Sequence, residues 1–103
     1  MNLDEMVGGW FVGDFEPSVI RTKDFEVAVK RYKAGDKEAR HVHKVATELT
    51  VIISGRVLMN SQEYEKGSII EIAPNTSSDF EAIDDTVTVV VKTPSVSNDK
   101  YVL

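Results

Sequence analysis

The chain has 103 residues, which allows one domain with a modest hydrophobic core. Twelve Lys and Arg residues against seventeen Asp and Glu residues give a formal net charge of -5. The basic residues form no cluster, which disfavours nucleic-acid binding. The chain has no Cys, so disulfides, thiolate nucleophiles and Cys-based metal sites are excluded as well.

Apolar segments of the kind that targeting or membrane insertion requires are also absent from the sequence. The first residues are acidic and include no apolar run of signal-peptide length, and no later stretch approaches the ~20 apolar residues of a membrane span. We therefore expect a cytoplasmic protein that binds neither membranes nor nucleic acids.

Short apolar segments, each bounded by Gly, Pro, Asn or Asp, predict many short β-strands. In chain order, the predicted strands are 10–12, 25–32, 38–44, two runs within 47–60, 68–72, 80–83 and 86–92. Ser54-Gly55 separates the two runs and is typical of a hairpin turn, and residues 64–67 predict another turn.

No long segment has a sustained 3.6-residue apolar period, so almost no helix is predicted. The predicted fold class is all-β, an antiparallel sandwich or barrel that forms a single domain over residues 1–103. Residues 1–9 and 94–103 are predicted to be terminal extensions. We expect the second extension to be a frayed end, unless its closing residues Tyr101-Val102-Leu103 attach it to the fold or to a second subunit.

Both histidines of the chain occur in His41-Val42-His43. In a strand, residues i and i+2 project from the same face about 6.5 Å apart, so the two imidazoles point into one space. Glu48 lies five residues on, beyond a predicted turn at residues 44–46, and faces the same pair from the antiparallel neighbour. Two neutral nitrogens and a carboxylate oxygen suit divalent Fe, Mn, Ni, Co or Zn, which predicts a metal site.

These residues lie within a wider frame of fixed positions: Gly35, five residues, His41-Val42-His43, four residues, Glu48, six residues and Gly55. The frame resembles the first signature motif of the cupin superfamily, Gly-x5-His-x-His-x3,4-Glu-x6-Gly, at every fixed position. The resemblance covers residues 25–92. It implies a small single-domain cupin, a jelly-roll or double-stranded β-helix barrel with the three ligands inside it, and glycines that permit tight turns at the strand ends.

The second cupin motif is similar to residues 67–78 only in part. Ser78 stands where the family has its last histidine ligand, which leaves water, Asp79 or Ser78 for the fourth position, in that order of preference. A serine hydroxyl is a poor donor to a divalent ion, and alternation places Asp79 on the opposite face unless a bulge shifts the register. The expected metal is therefore weakly bound.

The favoured function is a cupin that binds a divalent metal and, in its barrel, a small molecule; no catalytic residue is singled out. One alternative is a metal-free sugar or sugar-nucleotide binding module, or an isomerase in which a histidine works with Tyr32 or Tyr64. Another is an interaction domain with a decayed site, suggested by Ser78.

Open sheet edges in a small chain predict a homodimer for each of these functions.

Basic residues near the predicted site are interpreted as solvated surface. Arg40 and Lys44 alternate to the outer face of the histidine strand, and Lys30, Arg31 and Arg56 are scattered over other strands. The alternative for Lys30, Arg31 and Arg56 is that they line the mouth of the barrel and attract an anion.

Overall fold

The computed structural model describes residues 1–103 and contains almost no helix, with two 3-10 turns at Leu3–Glu5 and Val7–Gly9. The strands are β1 (Trp10–Val12), β2 (Glu26–Tyr32), β3 (Lys37–Val42), β4 (Thr47–Ser54), β5 (Arg56–Met59), β6 (Gln62–Glu65), β7 (Ile69–Ile72), β8 (Ser78–Ala82), β9 (Thr86–Thr93) and β10 (Tyr101–Val102). The all-β prediction is confirmed. None of the helical segments is long and apolar enough to cross a membrane.

The strands form two five-stranded sheets, in the orders β1-β2-β9-β4-β7 and β10-β3-β8-β5-β6. Every neighbouring pair is antiparallel. Burial alternates along the strands, so that each sheet has one inner face. In β9, for example, Thr86, Thr88 and Val90 are buried, whereas the residues between them are only half-buried. Two antiparallel sheets with one inner face each are the architecture of a jelly roll.

The hydrophobic core lies between the two sheets. Ile52 and Ile72 come from the first sheet, and the remaining members, Val57, Met59, Phe80 and Ala82, come from the second. Burial of each of the larger side chains stabilises the fold by about 1.5–3 kcal/mol. This shared core holds the sheets together, so that side chains from both can meet in the interior.

The predicted hairpin at Ser54-Gly55 is wrong. This dipeptide joins β4 to β5, but the two strands belong to different sheets and do not pair. Gly55 has φ +89°, and a Cβ at this position would overlap the carbonyl oxygen of Asp85 and the hydroxyl of Thr86. The glycine is therefore needed for the chain to cross from one sheet to the other.

The hairpin lies one strand later, between β5 and β6. Asn60 and Ser61 form its turn, both at positive φ, which is the backbone conformation that suits two-residue hairpin loops. Tyr64 lies in β6 opposite Val57 and packs against the core. The turn predicted at residues 64–67 therefore starts too early.

The C-terminal extension is ordered against the second sheet. In β10, Tyr101 lies opposite Val42, and Val102 lies opposite His41 of β3. Asp99, just before this strand, is buried. The predicted frayed end is wrong because backbone pairing and the contacts of Asp99 attach the extension to the fold.

Candidate metal centre

The three predicted ligands meet where the two sheets approach each other. His41 lies in β3 and His43 follows its end, while Glu48 is the second residue of β4 in the other sheet. Their exposed fractions are 6%, 5% and 9%, and one ligand atom from each lies within 4.8 Å of the others. Nε2 of His43 is 3.6 Å from Oε1 of Glu48. The sequence-predicted trio is therefore brought together.

Backbone carbonyls fix the orientation of both imidazoles. Nδ1 of His41 donates to the carbonyl of Ala39 at 2.9 Å, and Nδ1 of His43 donates to the carbonyl of Asp99 at 2.7 Å. Because a carbonyl accepts only, each Nδ1 carries the proton, and in the neutral rings each Nε2 keeps a free lone pair. Nε2 of His43 is buried and has no hydrogen-bond partner, which is the arrangement a metal ligand requires.

Glu48 is held as a carboxylate. Burial alone would raise its pKa, but a proton on Nε2 of His43 and the positive charge of Lys92 both act against burial, and the pKa of Glu48 is lowered. A metal ion bound at Nε2 would take the place of that proton. Lys92 lies between Glu26 and Glu48 in the register of the first sheet. The hydroxyl of Thr50 also donates to Oε2 of Glu48, at 3.3 Å. Two free imidazole nitrogens beside an ionised carboxylate fit a divalent ion.

The candidates for a fourth ligand lie on opposite faces of β8. Ser78 is buried, faces the same cavity as the trio and lies opposite His41 in the register. Oδ1 of Asp79 accepts from the backbone N–H of Asn60, and Oδ2 accepts from Arg40, each at 2.8 Å. Asp79 does not join the trio, and its carboxylate serves the outer face of the sheet, where Arg40 was predicted to lie.

Asp99 is a functional residue that the sequence did not indicate. Its carboxylate accepts hydrogen bonds of 2.9 to 3.2 Å from the backbone N–H groups of Lys44, Val45 and Ala46. These residues form the loop between His43 and Glu48. The same residue therefore orients one ligand through its carbonyl and holds the loop between two ligands through its carboxylate.

A cavity of about 140 Å³ adjoins the three ligands. Lys30, Tyr32, Thr88 and Lys92 line it together with Trp10, and the ammonium groups of Lys30 and Lys92 lie 5.1 and 4.9 Å from the centre of a Trp10 ring. The interpretation of Lys30 as solvated surface is therefore wrong.

Arg31 and Arg56 are exposed as predicted, and Lys44 is exposed too, with its ammonium 4.1 Å from the centre of the Tyr101 ring. The position of Lys30 follows from the alternation of β2, which places every second residue on the inner face.

Solved structures with little sequence identity to the chain share its fold. A protein from Klebsiella pneumoniae described as having a double-stranded β-helix domain matches with a TM-score of 0.70 and 23% identity, over 92% of this chain and 84% of that one. A cupin-2 domain containing protein from Shewanella frigidimarina matches with a TM-score of 0.60 and 12% identity, over 70% and 72% of the two chains. The chain has the cupin fold.

A further structural neighbour is an enzyme by name. DMSP lyase DddQ from Ruegeria pomeroyi matches with a TM-score of 0.73 and 15% identity, over 88% of this chain and 48% of that one. No protein-family model and no curated protein matches the sequence. Because one fold hosts many activities, the function of this protein has to be argued from its own site.

Proposed function

We propose that this cupin binds one divalent metal ion through Nε2 of His41, Nε2 of His43 and a carboxylate oxygen of Glu48, and a small molecule in the adjoining cavity. The observation that carries the proposal is the unpartnered Nε2 of His43, buried beside an ionised carboxylate. A buried polar atom without a partner is costly, and a bound cation removes that cost. The donor set suits Fe, Mn, Ni, Co or Zn, with water completing the coordination beside Ser78.

A metal held there would act as a Lewis acid toward an oxygen atom of the bound small molecule. The residues of the chain supply the rest of the site: the carbonyls of Ala39 and Asp99 hold the imidazoles, and the positive charge of Lys92 favours the carboxylate form of Glu48. The buried position of the trio limits competition from bulk water.

The test is a metal titration of protein purified without a histidine tag and stripped with a chelator. With Co²⁺, Mn²⁺ or Zn²⁺, calorimetry is expected to give one ion per chain, and His41→Ala, His43→Ala and Glu48→Gln are each expected to lose at least about tenfold in affinity. Glu71→Gln changes an exposed glutamate of β7 and is the matched control. Equally weak binding by the wild type and the three ligand variants would overturn the proposal.

A second candidate is a metal-free sugar or sugar-nucleotide binding module or isomerase, favoured by one observation: Tyr32 lines the same cavity as both histidines. Burial raises the pKa of Tyr32, and the charge of Glu38, to which its hydroxyl donates, raises it further, so the phenol is a weak proton donor. If this candidate is right, a chelator leaves thermal stability unchanged and sugar nucleotides raise it. The metal proposal predicts that a chelator lowers the stability of the metal-loaded protein.

We also propose that the protein is a homodimer. β7 is an edge strand of the first sheet and leaves Ile69 70% exposed, and β10 is an edge of the second sheet with Val102 68% exposed. Apolar edge strands are commonly covered by a partner. Sedimentation at micromolar concentration is expected to show a dimer, and Ile69→Lys or Val102→Lys is expected to weaken it. A wild type that sediments as a monomer would contradict this proposal.

A further inference from the structure

Lys30 and Thr88 form a cross-strand pair in which the ammonium has no ion-pair partner and the hydroxyl has no hydrogen-bond partner. They lie opposite each other in the register of β2 and β9, so their side chains share one face of the sheet. The hydroxyl of Thr88 is fully buried and has no hydrogen-bond partner, and Lys30 takes part in none of the ion pairs of the chain. Both line the cavity beside the candidate metal centre.

Three acidic residues border this cavity. The carboxylate of Asp79 is turned to the outer face and accepts from Arg40, Glu48 belongs to the ligand trio, and Glu38 accepts from the neutral hydroxyl of Tyr32 and keeps its negative charge. Lys30 is a half-buried residue of the cavity wall and forms no ion pair, and the opposite charge that acts on it most is that of Glu38, in a protein whose formal net charge is -5. A buried donor and a half-buried cation side by side recognise an anion with oxygen acceptors.

We propose that the cavity binds a small organic carboxylate, whose oxygens accept hydrogen bonds from the Lys30 ammonium and the Thr88 hydroxyl. This proposal rests on the proposed function, because the bound organic carboxylate and the metal ion would share one cavity. A volume of about 140 Å³ suits a small acid better than a nucleotide. The pair offers one ammonium and one hydroxyl, without the arginine fork that commonly recognises phosphate.

The single tryptophan supplies the readout, because Trp10 lies beneath Lys30 and lines the same cavity. Chelator-treated protein is titrated with acetate, malonate, succinate and glutarate, and with the matched neutral compounds acetamide and succinamide, while Trp10 fluorescence is followed. At least one carboxylate is expected to give a saturable change, and neither amide is expected to do so.

Substitutions of Lys30 and Thr88 test whether these two residues bind the carboxylate. Lys30→Met keeps the apolar stem and is expected to weaken carboxylate binding at least tenfold, whereas Lys30→Arg retains most of it. Thr88→Val keeps the shape and is expected to weaken binding several-fold, with circular dichroism confirming the fold. Lys66→Met, at an exposed turn outside the cavity, is the control and is expected to bind like the wild type.

The design separates this proposal from the metal proposal. His41→Ala removes a metal ligand but leaves Lys30 and Thr88 in place, so the carboxylate titration of this variant is expected to succeed even if no form of the protein binds metal. No saturable change with any carboxylate, equal binding of the amides, or wild-type binding by Lys30→Met would overturn the inference. Tighter binding of inorganic phosphate than of every carboxylate would overturn the ligand class.

Discussion

Nδ1 of His43 donates a hydrogen bond of 2.7 Å to the backbone carbonyl of Asp99, 56 positions later in the chain. This bond fixes which nitrogen of His43 carries the proton and where the free nitrogen points. Partners of this kind are known to tune metal affinity without touching the metal. The C-terminal extension is therefore part of the candidate metal centre.

Removing the Asp99 carboxylate is expected to weaken metal binding although no ligand is lost. Asp99→Ala frees the backbone N–H groups of the loop between His43 and Glu48, and we expect about a tenfold loss of Co²⁺ affinity by calorimetry. Asp79→Ala is the matched control, because that carboxylate binds Arg40 and Asn60 on the outer face. The Co²⁺ affinity of Asp79→Ala is expected to equal that of the wild type. A loss as large as that of Asp99→Ala would show that Asp79 is a metal ligand.

The same carboxylate makes stability depend on pH. Burial would raise the pKa of Asp99, but the N–H groups of Ala46, Lys44 and Val45 outweigh it, and the pKa is lowered below the ordinary 3.8. A lowered pKa stabilises the fold above the ordinary value, and this contribution is lost as the pH falls through the folded pKa.

Urea unfolding of Asp99→Asn, which mimics the protonated state, is expected to show a loss of about 1–2 kcal/mol near neutral pH. The difference from the wild type is expected to shrink below about pH 4. A difference that stays constant down to about pH 3 would show that the charge of Asp99 makes no contribution.

Replacing Ser78 by histidine is expected to strengthen the metal site. Ser78 is buried, faces the cavity and lies opposite His41, so an imidazole there adds a third nitrogen to the donor set. We expect Ser78→His to bind Co²⁺ at least about tenfold more tightly, and Ser78→Ala to match the wild type because water takes the open position. A large loss in Ser78→Ala would instead identify the hydroxyl as a ligand.

The two glycines of the motif are expected to differ in importance. Gly35 and Gly55 have almost the same φ, +92° and +89°, but nothing lies within 4 Å of a Cβ built on Gly35, whereas one on Gly55 would overlap Asp85 and Thr86. Gly35→Ala is expected to cost about 1–2 kcal/mol, from backbone conformation alone. Gly55→Ala is expected to cost about 3–5 kcal/mol, because steric overlap is added. Equal losses in urea unfolding would contradict this account.

The local part of the structure was predictable from the sequence. Alternation placed the strands, and the spacing of His41, His43 and Glu48 brought the three ligands together. What the sequence did not show depends on contacts between distant segments. Ser54-Gly55 has the composition of a hairpin turn, and only the packing of two sheets makes it a crossing.

The role of Asp99 was hidden for the same reason, since no local pattern links it to residues 44–46. Lys30 is different: the period of β2 already places it on the inner face, but its charge favoured the interpretation as surface.

The contact between His43 and Asp99 also bears on when, during synthesis, the proposed metal centre could form. A nascent chain that has emerged only through β9 carries all three ligands, yet it lacks the carbonyl that orients His43 and the carboxylate that holds the loop before Glu48. We expect such a chain to hold metal poorly and one that extends through β10 to hold it well. Ribosome-arrested chains exposed to residue 93 or to residue 103 would reveal this difference, and metal uptake would then follow the pairing of β10 with β3.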